Sequence, residues 1–356
     1  MPALQDLQQA QGASFTAEGV PLGFGDAAAA LEATTTGAVL IDRSHWGVIE
    51  MRGCDRTRFI HNQTTNTFTQ RQPGEGCDTV FVTSTARTLD LATVYITEDS
   101  LILLVSPGQD QRLIDWMDRY IFPADQVSLK NLTGDVALFS LVGPQALPLL
   151  TTLGLEIDPQ LPDGHHQTVD INGLTLRLAA GSGLALGGYS LLVPAATAAE
   201  VWQLLTTAGA LPAGEHLWQQ LRVQQGRPSP GAELTDDYNP LEAGLWPMIS
   251  FDKGCYIGQE TIARLNTYQG VKQQLWGLQL SGPVEPGAII SVGDEQGGNE
   301  KVGLITSCVD LPSGPMGLGY LRTKAGGAGL SVTVGGVSAT VVEVPFLGRG
   351  YLANAN

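Results

Sequence analysis

Positive charge is scarce in this chain. Nineteen lysines and arginines stand against 35 aspartates and glutamates over 356 residues, a formal net charge of −16 with histidine neutral. A field of that sign argues against nucleic acid, anionic membrane surfaces and broad polyanions as partners. It leaves room for a small anionic ligand only where a few Arg or Lys line a local pocket. Charge of either sign is modest at 15%, against 43% hydrophobic residues, which excludes a disordered chain. No apolar run is long enough to span a bilayer. The stretch from Met1 to Gly19 is polar and glutamine-rich and carries neither a signal-peptide nor an arginine-rich transit pattern, so a cytoplasmic protein is expected.

Cysteine is sparse and scattered. Cys54, Cys77, Cys255 and Cys308 form no C-x-x-C pair, which argues against a zinc knuckle or a thioredoxin-type site. Nothing else in the composition is that of a disulfide-stapled secreted domain. The adjacent His165 and His166 follow Pro162-Asp163-Gly164 and read as an exposed loop, so no metal site is expected. A G-x-x-x-x-G-K-[ST] phosphate loop and a G-x-S-x-G nucleophile elbow are both missing, which disfavours nucleotide hydrolysis and serine-hydrolase chemistry. Gly181-x-Gly183-x-x-x-Gly187 lies between two strand-like runs and opens no helix. It therefore reads as a hairpin or loop and not as a dinucleotide turn.

The length suggests two or three domains with ample core. Asp55 is placed to cap a short helix through Gln63 with Phe59 and Ile60 inward. Val80–Val82, Leu91–Ile96, Leu101–Val105, Val136–Val142, Leu174–Leu178 and Tyr189–Val193 read as strands. Leu113, Trp116, Met117, Tyr120 and Ile121 follow helical spacing in a helix introduced by Pro107. Val201, Leu204, Leu205 and Ala208 mark a second helix, and Leu217, Trp218 and Leu221 a third. Composition shifts after Gly270 to short β-rich pieces, Val302–Thr306, Leu330–Val334 and Ala339–Val344, separated by glycine and proline. The expected organisation is α+β over residues 1–271 and a small all-β barrel or sandwich over 272–356.

The most informative segment is Lys253-Gly254-Cys255-Tyr256-Ile257-Gly258-Gln259-Glu260. A glycine beside a cysteine permits close approach, and a nearby lysine and helix start favour a thiolate. A buried free cysteine in a turn satisfies the same pattern, and residue chemistry alone favours that blander reading. If the thiol is reactive, Cys255 is expected to alkylate faster than Cys54, Cys77 and Cys308, which lie in apolar or strand-like contexts.

Several segments together resemble the glycine-cleavage T-protein (aminomethyltransferase) superfamily. Asp42-Arg43-Ser44-His45-Trp46-Gly47 and Gly53-Cys54-Asp55-Arg56 resemble its D-x-S-H-x-G and G-x-D segments. Phe59 to Asn66, ending in Asn62-Gln63-Thr64-Thr65-Asn66, matches the helix and turn after them. Asn239-Pro240-Leu241-Glu242-Ala243-Gly244-Leu245 is similar to its P-x-E-A-G-L segment, while Gly303 to Ser307 and Val344-Pro345-Phe346 match its C-terminal barrel. The octapeptide resembles the marker of the YgfZ branch, tetrahydrofolate-dependent proteins that maintain iron–sulfur enzymes. The aminomethyltransferases have an acidic residue where this chain has Cys255. The likeness covers roughly residues 35–350. It implies a clover-leaf arrangement of two interleaved parts within 1–271 plus the barrel, with tetrahydrofolate or a one-carbon derivative as cofactor. It also implies a monomer, with iron–sulfur proteins or assembly factors as partners.

By the same resemblance Cys255 and Asp90 are the expected catalytic groups. Asp90, in Ala86-Arg87-Thr88-Leu89-Asp90-Leu91, aligns with the carboxylate beside the reacting folate nitrogen, where it can stabilise an iminium charge or move a proton. Asp90, Arg222, Glu242, Lys253 and Tyr189 form the expected folate-binding set. Arg222 would fork onto the tail carboxylates, and Glu242 would orient the loop carrying Pro240. A solvent-facing Asp90, a structural ion pair for Arg222 and a capping role for Glu242 are the plainer alternatives. Three departures separate the chain from the transferases: Ser190 in Gly188-Tyr189-Ser190, Ser106 after Leu103-Leu104-Val105, and Leu91 where the second acid of an Asp pair is expected. They favour a folate-binding maintenance protein. A one-carbon transferase acting on tetrahydrofolate and a non-catalytic, folate-regulated scaffold are the alternatives.

Overall fold

A computed structural model describes residues 1–293 and 299–354 of the chain. The contacts divide into two compact units. The first comprises residues 1–60, 68–78 and 92–218, and the second 61–67, 79–91 and 219–356.

The first unit is built on a six-stranded sheet of order His166–Ile171, Leu174–Ala180, Gly188–Pro194, Val136–Val142, Val39–Asp42, Leu211–Ala213. All neighbours are antiparallel except the last, which runs parallel to Val39–Asp42. Strict alternation decides its two faces. Leu176, Leu178, Phe139, Leu141, Leu191 and Val193 pack under the helices Pro2–Ala10, Ala146–Thr152 and Ala198–Thr207. Trp202 is fully buried there, stacked on Phe24 with ring centroids 5.6 Å apart and edge-on to Phe139 at 5.2 Å. Its indole N–H donates to Gln11 Oε1 at 2.8 Å, which offsets the cost of burying that donor. Each fully buried Leu, Val or Ile contributes about 1.5–3 kcal/mol relative to exposure. A five-stranded sheet has the order Gly76–Val82, Thr88–Ile96, Ser100–Val105, Gly47–Arg52, Ser128–Asn131, and its first two strands contribute residues to both units.

The second unit ends in a closed barrel of six antiparallel strands. Their order is Gln273–Leu280, Met316–Arg322, Asn299–Val309, Ile289–Gly293, Ser331–Val334, Val337–Val342, and the last pairs back onto the first. Trp276, Leu278, Ile290, Ile305, Leu321, Val334 and Val341 fill its interior. The expected α+β architecture with a small C-terminal barrel is therefore present.

Two local expectations need correction, and one segment left unassigned by the sequence takes a definite form. The helix after Pro107 begins only at Asp110, because Gly108 sits at φ +71° in an intervening turn, and it stops at Asp118. Only Leu113 and Met117 of its stripe are buried; Tyr120 and Ile121 lie past its end, and Trp116 packs on Tyr120 at 5.0 Å. The polar start of the chain forms the helix Pro2–Ala10, anchored by buried Leu4 and by Gln8, whose amide donates to Asp42 Oδ2 at 2.7 Å. His166, expected on an exposed loop, opens a strand and is buried; its ring Nδ1 lies 2.8 Å from the Arg177 guanidinium. The segment 181–187 is the hairpin connection expected for it.

Among the described residues no helix is long and apolar enough to cross a membrane.

Candidate functional site

The octapeptide lies in the second unit, on a loop fastened at both ends to residues 61–66. Thr65 Oγ1 donates to the Met248 carbonyl at 2.8 Å, Ser250 N donates to the Thr65 carbonyl at 3.0 Å, and Ile257 N donates to the Asn62 carbonyl at 3.1 Å. Between these points the buried Lys253 ammonium donates to the carbonyls of His61, Thr64 (2.7 Å) and Asn66 (2.5 Å). It also lies 4.7 Å from the centroid of the Tyr256 ring. An ammonium has three donors, and here all three meet carbonyl oxygens, so its charge is solvated by backbone dipoles. Desolvation, and then the nearby Lys253 charge, lower the pKa of His61, while burial pushes the Tyr256 phenol up to about 12.

Lys253 and Tyr256 are buried, whereas Gly254 and Cys255 between them are exposed. The thiol is thus carried at the outer edge of a loop whose flanks are fixed. Gly258 ends the loop at φ +81° and serves as N-cap of the helix Gln259–Thr267. A Cβ there would stand 2.7 Å from the Thr83 carbonyl oxygen, so both conformation and space require glycine.

A second cluster in the same unit gathers Arg222 and Glu242 around groups the sequence did not single out. Arg222, on the helix Glu215–Gln225, donates to Glu233 Oε2 at 3.2 Å, to Ser307 Oγ at 2.9 Å and to Gln219 Oε1 at 2.5 Å. The fully buried Glu233 also accepts from Thr306 Oγ1 and Ser307 Oγ, both at 2.6 Å, and from the Ser229 amide at 3.1 Å. Removing one partner of such a pair typically costs about 3–5 kcal/mol, because it strands the other charge. Tyr320 donates to the Glu233 carbonyl at 2.8 Å, and Tyr238 stacks on Tyr320 with centroids 3.5 Å apart and planes 10° from parallel. Burial first, and the surrounding carboxylates second, raise the pKa of both phenols. Burial also raises that of Glu242, which accepts from the Asn239 amide at 3.2 Å, while the Arg87 charge pulls it back.

Asp90 is fully buried on the strand Thr88–Ile96 and accepts from the Leu91 amide at 2.9 Å, so it does not face solvent. The start of that strand is tied to the 235–238 loop, since Thr88 N donates to the Tyr238 carbonyl at 3.0 Å and Thr88 Oγ1 to the Thr235 carbonyl at 3.1 Å. Lys253 and Cys255 share one loop, and Arg222 and Glu242 share one cluster. Tyr189 belongs to the first unit, where it packs in the core beneath the helices and burial raises its pKa. The other cysteines differ from expectation in one case. Cys54 is exposed on a turn and donates to Gln126 Oε1 at 3.2 Å, whereas Cys77 and Cys308 are half-buried. Burial pushes the Cys308 thiol up to about 11.

Glu233, Tyr238, Ser307 and Tyr320 escape sequence reasoning because their meaning is pairwise across long separations. The one available signal was the group of acids Glu233, Asp236 and Asp237 between Arg222 and the Pro240 segment, which does not say which of them is buried.

Residues 4–253 match the family model described as the GCVT N-terminal domain. A candidate chloroplast transferase of Arabidopsis thaliana is 43% identical over 99% of this chain and 81% of its own length. An aminomethyltransferase of Synechococcus elongatus is 30% identical over 87% of this chain and 85% of its own. The crystal structure of the glycine cleavage system aminomethyltransferase T from Bartonella henselae superposes with a TM-score of 0.84 over 98% of each chain, at 21% identity, which shows a shared fold.

Proposed function

The chain belongs to the GCVT family, and from that premise we propose that it is a YgfZ-type protein that binds tetrahydrofolate, or a one-carbon derivative of it, and supports assembly or repair of iron–sulfur enzymes. The observation that carries this reading is the exposed Cys255 on its fastened loop, at the place where the resemblance puts an acid in the transferases. Folate asks for polar groups at the pterin edge and cations for its glutamate tail. The buried carboxyls of Asp90 and Glu242 suit the edge. Tyr189, expected in the set by resemblance, is instead part of the core of the first unit.

Arg222 and Lys253 hold the site together from behind, since each nitrogen of the Arg222 guanidinium already donates once, to Gln219, Glu233 and Ser307, and the Lys253 ammonium donates to backbone carbonyls. Arg87, half-buried with one N–H on the Asp237 carbonyl and its charge felt at Glu242, is the better cation for the folate tail. We place the folate chemistry in residues 1–271 and the supporting barrel in 272–356. The protein is taken to act in a soluble compartment as a monomer, with iron–sulfur proteins or assembly factors as its clients.

A second reading, direct one-carbon transfer to tetrahydrofolate, is favoured by relatives named aminomethyltransferase. Calorimetric titration with tetrahydrofolate, for wild type and Cys255→Ser, tests the common core. Both proteins should bind, and only wild type should restore iron–sulfur enzyme activity in cells lacking their own folate-dependent maintenance protein. Absence of heat and of any thermal shift at millimolar ligand would sink the folate reading. Steady release of methylenetetrahydrofolate from aminomethylated lipoyl protein, at about 1 per second or faster, would replace it with the transferase.

A further inference from the structure

The face of the six-stranded sheet opposite the helices Pro2–Ala10, Ala146–Thr152 and Ala198–Thr207 carries a recess that the folate reading does not use. It has a volume of about 240 Å³ and lies wholly within the first unit. Val48 and Leu192 belong to its buried apolar lining, and the half-buried Ile102 and Leu132 continue it. The exposed Thr168 and Thr175 stand at its edge, and Arg177 is its charged residue. Thr168, Thr175, Arg177 and Leu192 share a face because alternation sends Leu176, Leu178, Leu191 and Val193 to the helical core.

Arg177 is unlike Arg222, which is buried in the second unit. Arg222 has Glu233 in ion-pair contact, whereas among the described residues no carboxylate pairs with Arg177. Its hydrogen bond is to Nδ1 of His166, 2.8 Å away. Glu98 and Asp99 act on it only through space, and Asp99 is itself held by Arg52 at 2.6 Å. Desolvation is the leading influence on Arg177 and lowers its pKa, as for a charge removed from water without a counter-ion. Such a guanidinium gains from an anion that brings its charge into contact.

The surroundings select the anion. Apolar walls penalise a strongly hydrated inorganic ion, which would have to shed water against Val48 and Leu192. They favour an anion with an apolar body. A guanidinium presents a planar fork matched to a carboxylate, and the threonine hydroxyls can donate to its oxygens. We propose that this recess binds a small monocarboxylate with a short branched or cyclic hydrocarbon body, its carboxylate on Arg177 and its body against Val48, Ile102, Leu132 and Leu192.

The probe is 4-methylpentanoate, titrated into the full chain by calorimetry and by NMR, with its neutral amide and inorganic sulfate as controls. The acid should bind, and the amide and sulfate should bind at least about tenfold more weakly, a difference of about 1.4 kcal/mol. Arg177→Met should lose affinity by a similar factor, and Arg177→Lys should keep part of it. Equal binding of acid and amide to the wild-type protein would overturn the proposal without any variant being needed. So would an Arg177→Met protein that is folded by circular dichroism and binds the acid unchanged, or an absence of acid binding at about 10 mM. None of these outcomes depends on tetrahydrofolate binding, so this site and the folate site stand or fall separately.

Discussion

At the scale of single residues, His166 gives the sharpest pH dependence. Its pKa is lowered to about 4, first by burial and then by the adjacent Arg177 charge; the Ile96 and Glu75 carbonyls and the Glu98 carboxylate oppose this without reversing it. The unfolded chain therefore takes up this proton near the ordinary value of 6.5, well before the folded one does. The neutral ring's contribution to stability is complete above about pH 6.5 and is lost progressively as the pH falls towards 4. Melting temperature measured across that window should fall more steeply for wild type than for His166→Gln; parallel curves would show that His166 is not the group responsible. The sequence hid this residue because Pro162-Asp163-Gly164 signals a turn truthfully but is silent on where the turn ends. His165 closes it, and His166 already pairs with Ala179 in the sheet. The cysteines teach a related lesson. Sequence context placed Cys54 with the shielded thiols, yet Gly53 at φ +108° turns the chain there and leaves Cys54 exposed.

Among the elements, the loop from Met248 to Gly258 depends on one side chain. Replacing Lys253 by methionine keeps the apolar stem but leaves the carbonyls of His61, Thr64 and Asn66 without their shared donor. The expected loss in urea unfolding is roughly 2–4 kcal/mol. In the folded variant the iodoacetamide labelling rate of Cys255 should change while that of Cys54 does not. Unchanged labelling at Cys255 would mean that the backbone bonds at Met248, Ser250 and Ile257 fix the loop by themselves. What could be read at this scale was whatever repeats locally. The alternation of Tyr189–Val193, the short helix ending at Gln63 and the glycine-rich hairpin at 181–187 all sit where the pattern put them. What could not be read was the polar wiring. The carbonyls that hold Lys253 come from residues nearly two hundred positions earlier, and Ser307 reaches Arg222 from the barrel strand Asn299–Val309. Hydrophobic period carries no information about such pairs.

For the whole molecule, the excess of acidic over basic residues predicts repulsion from duplex DNA and heparin. A mobility-shift titration at low salt should show no complex, and binding that disappears on raising the salt would reveal a basic patch hidden by the net charge. The architecture was legible because its two parts differ in rhythm, with helical spacing mixed among strands up to Gly270 and short glycine-punctuated strands after it. Composition alone does not mark where residues 61–67 and 79–91 leave their neighbours; interleaving was an expectation of the family resemblance only. The closed barrel has one more consequence, which concerns synthesis. Val337–Val342 pairs with both Gln273–Leu280 and Ser331–Val334, and it is the last of the six strands to leave the ribosome. Until it emerges, the nascent barrel carries two unpaired flanks rich in β-branched and leucine side chains, the kind of edge on which strands of other chains assemble. A chain that stops short of Val337 keeps those flanks permanently. Quality control is therefore expected to meet it as an aggregation-prone species, even though most of its sequence is intact.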